Sequence, residues 1–198
     1  MIVRKALVVP VMAAFLAGSC TGSTTTSPTP SSSSISPRLL TFRGMGVSFR
    51  YPSTWTAHRY VAVSSFSTSI VYLSNDRLHP PCRTTRGQGS VSTACGSPLA
   101  HLGPSGVLVE WSEHGFPDWS LKTRAEGKPI TVGGHRAKIQ IPSSLSPCPD
   151  GFDQSMTVVV ESVPDNWWQI DACIRGPGVA ASLSQVRAML RSAHLPTE

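Results

Sequence analysis

The chain has 198 residues, with 17 Lys and Arg against 11 Asp and Glu, and five cysteines. The stretch from Leu39 to Glu198, roughly 160 residues, is ample for one hydrophobic core and short for two. The basic excess is modest and no dense Lys/Arg patch with interleaved aromatics occurs, so nucleic acid is not an expected partner.

Arg4 and Lys5 open a leader-like segment, and an apolar run from Ala6 to Ala17 follows, with Pro10 inside it. The run fits the hydrophobic part of a signal peptide and is too short for a bilayer core of roughly 30 Å. The stretch Leu16-Ala17-Gly18-Ser19-Cys20 resembles a bacterial lipobox, with Ala17 at a position where Leu is usual. The resemblance implies diacylglycerol on the Cys20 sulfur, cleavage between Ser19 and Cys20, and a chain anchored by lipid to the outer face of the cell membrane. Setting Cys20 aside leaves Cys82, Cys95, Cys148 and Cys173, an even number suited to disulfides in an oxidising compartment.

Residues 21–37 are almost entirely Ser, Thr and Pro, which cannot bury apolar surface and should stay disordered. The expected organisation is a signal peptide over residues 1–19, a lipidated Cys20 with its tether over 20–38, and one extracytoplasmic domain over 39–198. As a coil the tether reaches on the order of 25 Å, and fully extended about 50 Å. Loss of Arg4 and Lys5 with the leader leaves 15 basic against 11 acidic side chains, a net of +4. The excess lies early: Arg38, Arg43, Arg50 and Arg59 precede the first acid, Asp76.

From residue 39 onward the pattern is mostly strand-like. Val47, Phe49 and Tyr51 alternate with polar residues, and Leu40 to Arg43 forms the other arm of a hairpin through Gly44-Met45-Gly46. Tyr60 to Val63 and Ile70 to Leu73 are rich in strand-forming residues. Val107, Val109 and Trp111 share one strand face, with Leu108 and Glu110 on the other. Ile130 to Val132 and Arg136 to Ile141 flank Gly133-Gly134, a two-residue hairpin turn. Met156 to Val163 and Trp167 to Ile174 pair around Pro164-Asp165-Asn166, with Trp168, Ile170, Ala172 and Ile174 on one face. Val179, Leu183, Val186 and Leu190 then recur at helical spacing, and Arg187 and Arg191 sit near the negative end of that helix. The expected fold is α+β: an antiparallel sheet of about six or seven strands with a C-terminal helix packed on one face.

Residues 75–103 and 142–153 read as irregular, and each holds cysteine. Cys82–Cys95 and Cys148–Cys173 are the natural pairings, each adding about 3 kcal/mol by loop closure, although four cysteines allow three connectivities.

The segment Gly46-Val47-Ser48-Phe49-Arg50-Tyr51-Pro52-Ser53-Thr54-Trp55 resembles the opening G-x-x-F-x-Y-P-x-x-W of PsbP-like domains, many of them in small lipoproteins of Gram-positive bacteria. Ala172-Cys173-Ile174-Arg175-Gly176-Pro177, ahead of a helix, is similar to actinobacterial lipoproteins. The resemblance covers a minority of the domain. It implies an antiparallel sheet sandwiched by helices, serving as a non-enzymatic binding or assembly module, with no shared catalytic residues to carry over.

Motifs for chemistry are sparse. Gly176-Pro177-Gly178-Val179-Ala180-Ala181 spells a G-x-G-x-x-A, but the strand before it is antiparallel by pattern and the only acid beyond it is Glu198. It reads as a turn that starts the helix. Glu110, Glu113, His114 and Asp118 cluster among Trp111, Phe116 and Trp119, and read as the polar edge of an aromatic-rich strand end. There is no C-x-x-C pair and no G-x-S-x-G elbow, so neither metal nor cofactor is expected and no catalytic residue is assigned. The aromatics carry the better lead. Trp111, Trp119 and Trp167 are the candidate binding residues, because an exposed indole suits glycan, lipid or protein contact, and Trp167 and Trp168 must face opposite sides of their strand. The expected function is a lipid-anchored, non-catalytic module for an envelope lipid, glycan or protein partner. The alternatives are an extracytoplasmic hydrolase with a non-contiguous site and a structural envelope protein.

Overall fold

A computed structural model describes residues 38–60, 66–144 and 146–196. The signal peptide, Cys20 and the Ser/Thr/Pro stretch read from sequence lie outside them. In chain order the elements are β1 (Leu39–Gly44), β2 (Val47–Pro52), β3 (Thr56–His58), β4 (Ser67–Ser74), β5 (Cys82–Gly87), β6 (Ser90–Cys95), β7 (Val107–Gly115), α1 (Leu121–Arg124), β8 (Lys128–Val132), β9 (His135–Gln140), β10 (Gln154–Glu161), β11 (Asn166–Ile174) and α2 (Val179–Arg191). The domain is thus mostly antiparallel β, with one long helix and one single turn.

Seven strands form the main sheet in the order β3-β4-β7-β11-β10-β9-β8, every neighbour antiparallel. Local turn chemistry sets the hairpins. Gly133 and Gly134 both hold positive φ, 58° and 89°, the mirror-image turn that matches strand twist and that residues with a Cβ resist. β3 is only three residues long and Tyr60 lies beyond it; the rest of the strand expected over Tyr60 to Val63 falls on residues 61–65, outside the described set.

One face of the sheet holds the main core. Val107, Val109, Trp111, Met156, Val158, Ile170, Ala172 and Ile174 project from it, all 2% exposed or less. Two elements cover this face. α2 lays down Val186, Met189 and Leu190, with Val179 and Leu183 partly buried beside them. The β1–β2 hairpin, a separate two-stranded sheet, adds Phe42, Val47, Phe49 and Tyr51. Phe49 stacks on Trp111 at 4.6 Å between ring centroids, and Phe42 stacks on Phe49 at 5.1 Å. Each fully buried large side chain of this kind stabilises by about 1.5–3 kcal/mol. The residues after α2 run along β2. Ser48 and His194 exchange backbone hydrogen bonds of 3.0 and 2.8 Å, and the Arg50 N–H donates to Ser192 Oγ at 2.8 Å. Helix and hairpin are therefore one stitched layer, and the exposed edge of β2 is satisfied.

The opposite face carries a smaller apolar cluster of Tyr72, Leu78, Leu99, Leu102, Leu108 and Cys173. The two irregular stretches cover it, but residues 75–103 are not wholly irregular. They contain the hairpin β5–β6, closed by the Cys82–Cys95 disulfide. Hydrophobic periodicity could not announce it, since no side chain of either strand is fully buried and the strands read Cys-Arg-Thr-Thr-Arg-Gly and Ser-Val-Ser-Thr-Ala-Cys. The second disulfide, Cys148–Cys173, straps residues 141–153 onto β11.

Candidate functional site: the polar face of the sheet

Strand register builds the candidate site. Because side chains alternate, the residues of β11 that do not enter the core, Trp167, Gln169, Asp171 and Cys173, face the other way. Antiparallel pairing then aligns polar residues in rows across the sheet. One row runs Tyr72, Glu110, Asp171, Thr157, Gln140 over β4, β7, β11, β10 and β9. The next runs Ser69, Ser112, Gln169, Val159, Lys138, and a third runs Ser67, His114, Trp167, Glu161.

The first two rows are hydrogen-bonded into a network. Thr157 Oγ1 donates to Asp171 Oδ1 at 2.5 Å and Gln169 Nε2 donates to Asp171 Oδ2 at 2.7 Å. Ser143 Oγ and Thr157 Oγ1 lie 2.7 Å apart, linking the strapped loop to the strand. On the other side Ser69 Oγ donates to Glu110 Oε1 at 2.5 Å and lies 2.9 Å from Tyr72 Oη. Glu110 and Asp171 are direct cross-strand partners, so their β-carbons sit about 5 Å apart and two carboxylates share one patch.

Electrostatics follow from this packing. Asp171 is 5% exposed, and burial pushes its carboxyl up to about 6; the hydrogen bonds from Thr157 and Gln169 oppose the rise, and the Glu110 charge adds to it. Burial, with Glu110 alongside, also raises the Tyr72 hydroxyl well above its ordinary value. His114 is held below its ordinary value by burial. Its Nε2 lies 2.8 Å from Ser112 Oγ, but Ser112 is only 5% exposed, so this serine is sealed from an incoming substrate.

The third row is aromatic. Trp119, from the turn before α1, stacks on Trp167 at 4.4 Å and 15°, and Trp167 stacks on His114 at 5.1 Å and 10°. All three are half-buried. Phe66 and Phe116, 56% and 49% exposed, meet at 5.3 Å at the same strand end.

The binding residues read from sequence thus divide. Trp119 and Trp167 come together, in contact. Trp111 does not join them: it is 0% exposed and stacked on Phe49, because its strand face is the one that α2 and the hairpin cover. This corrects its reading as a surface indole. Trp168 is the buried partner of Trp167, at 4% exposure. Glu110 and His114 do share a face, while Glu113 falls on the other and Asp118 lies in an exposed turn with φ of 60°. The four cysteines form two bridges, Cys82–Cys95 and Cys148–Cys173. Asp171 was missed; its one sequence signal is a polar alternation, Gln169 and Asp171, inside an otherwise apolar strand. Gly176 has φ of 94°, and a Cβ there would come within 1.9 Å of the Pro104 carbonyl oxygen, so it serves a turn rather than a phosphate.

Among the described residues, no three His, Cys, Asp or Glu side chains are grouped to hold a metal ion, and no helix is long and apolar enough to cross a membrane. Comparison with family models, curated proteins and solved structures returns no match.

Proposed function

We propose that this protein is a membrane-anchored extracytoplasmic lipoprotein, acylated at Cys20, whose domain is a non-catalytic, PsbP-like module binding a polyhydroxylated envelope ligand of glycan type. The observation that carries the ligand class is the Trp119–Trp167–His114 stack beside the partly exposed acceptors of Glu110, Gln169 and Glu161. Sugar rings offer C–H faces to indoles and hydroxyls to such acceptors, and a pre-stacked pair of tryptophans loses little freedom on binding. The anchor reading rests on the Leu16–Cys20 motif and the tether behind it. Titrating soluble cell-wall glycan fragments into the protein and following tryptophan fluorescence tests the ligand. Saturable quenching, weakened about tenfold by Trp167→Ala, is expected; unchanged affinity in that variant would sink the assignment. The mass of Cys20-containing peptide from native membranes tests acylation separately.

One observation favours a second reading, a hydrolase: the carboxylates of Glu110 and Asp171 are neighbours, and one is raised toward neutrality, as an acid–base pair requires. Against it, both Asp171 oxygens are already engaged and the group is buried. Glycan cleavage abolished by Glu110→Gln would establish that reading instead.

A further inference from the structure

The layer opposite the polar face differs in charge. No Asp or Glu occurs before Asp76, and after Asp171 there is only Glu198, outside the described residues. Of the elements drawn from those two stretches, β3 and β4 join the main sheet, while β1, β2 and α2 carry arginine without acid and fold into the same layer.

The register gathers these arginines. Thr41 pairs with Arg50 and Arg43 with Ser48, so all four lie on the hairpin face turned away from Phe42 and Phe49. The end of α2 joins them. Thr41, Arg43, Ser48, Arg50, Arg191, Ser192 and His194 line one open groove of 350 Å³. A second groove, of 610 Å³, runs between Leu39, Pro52, Ala181 and Met189, flanked by the same Arg50 and Arg191. A third, beside β8, adds Arg187. No acidic residue lines any of the three, and among the described residues none of these arginines has a carboxylate partner. All four guanidinium-bearing side chains are exposed. The carbonyl end of α2 offsets this by about half a unit charge at most; the Ala188 and Met189 carbonyls already accept from the Ser192 N–H and the Leu190 carbonyl from the Ala193 N–H.

We propose that this layer is a docking surface for the anionic lipid headgroups of the membrane that holds the anchor. The inference rests on the lipoprotein reading above. Two observations select that occupant. The charge is complementary to a phosphate-bearing surface, with hydroxyls of Thr41 and Ser48 among the guanidiniums to donate to phosphate oxygens. The tether from Cys20 also joins the fold at Leu39, on the hairpin that carries the arginines, so a coil of about 25 Å keeps this layer close to the bilayer. Docked this way, the domain turns the Trp119–Trp167 face outward, toward polymer rather than lipid.

The test uses the mature chain, residues 20–198, carrying Cys20→Ser, which has neither leader nor acyl chain, and vesicles of phosphatidylcholine with or without an equal part of phosphatidylglycerol. Partition onto the anionic vesicles alone is expected, suppressed by salt. Arg50→Gln and Arg191→Gln should each lower the partition constant about fivefold, and the two together about 25-fold. Arg83→Gln with Arg86→Gln, on the exposed β5–β6 hairpin, removes equal charge and should change it little. Equal losses from both pairs would mean net charge alone acts, and would overturn the proposal, as would equal binding to neutral vesicles. Saturable binding of soluble poly(glycerol phosphate) without vesicle partition would give the face to a polymer and overturn it too. Because no acyl chain is present, failure here leaves acylation at Cys20 untouched, and an unacylated native chain would leave the docking result standing.

Discussion

Asp171→Asn isolates the buried carboxylate at the centre of the polar rows. In the unfolded chain this group titrates near 3.8; in the fold burial raises it to about 6. Between those values the folded state holds the proton more tightly, so stability falls as pH rises through this window. Below it both states are protonated and nothing is lost; above it both are ionised and the full cost applies. Two pH units at about 1.4 kcal/mol each make that cost about 3 kcal/mol. His114 acts in the opposite sense, since its lowered value removes stability as pH falls below about 6.5. Wild type and variant share His114, so its contribution cancels in their difference. Asparagine can still accept from Thr157 and, with the Gln169 amide turned over, donate to it. Urea unfolding at a series of pH values gives the difference directly. The wild type should lose about 2 kcal/mol relative to Asp171→Asn between about pH 4.5 and pH 7.5. Parallel curves would show that Asp171 is not buried as an isolated carboxylate, and the account of the polar face would fail with it.

The Cys148–Cys173 strap holds residues 141–153 over Asp171, so Cys148→Ala with Cys173→Ala should cost about 3 kcal/mol and also flatten that pH difference as water reaches the carboxylate. Gly176→Ala sets a Cβ against the Pro104 carbonyl at a positive φ and should cost about 1–3 kcal/mol, visible as a lowered Tm. Trp111→Ala should cost about 3–5 kcal/mol, since the indole fills the centre of the core. Trp167→Ala, on the half-buried stack, should stay within about 1 kcal/mol of wild type in the same unfolding measurement while losing ligand.

What the sequence determined by itself is local. Alternation at Val107–Trp111 and Trp168–Ile174, the glycines at 133 and 134, and the stripe at Val179, Leu183, Val186 and Leu190 each depend on residues a few positions apart, and each appears in place. The two favoured cysteine pairings also appear, because each closes a stretch poor in apolar residues. Tertiary structure decided the rest. Period two puts Trp111 and Glu110 on opposite faces without saying which one α2 and the β1–β2 hairpin will cover. The β5–β6 hairpin is invisible to hydrophobic pattern because a bridge holds it where a core would. The row Tyr72–Glu110–Asp171–Thr157–Gln140 exists only because β4, β7, β11, β10 and β9 lie side by side, an order set by pairing between residues as far as about 60 apart. The same holds for Arg43, Arg50 and Arg191. Their lack of acidic neighbours is written in the chain, but that they form one face follows from α2 docking on β2.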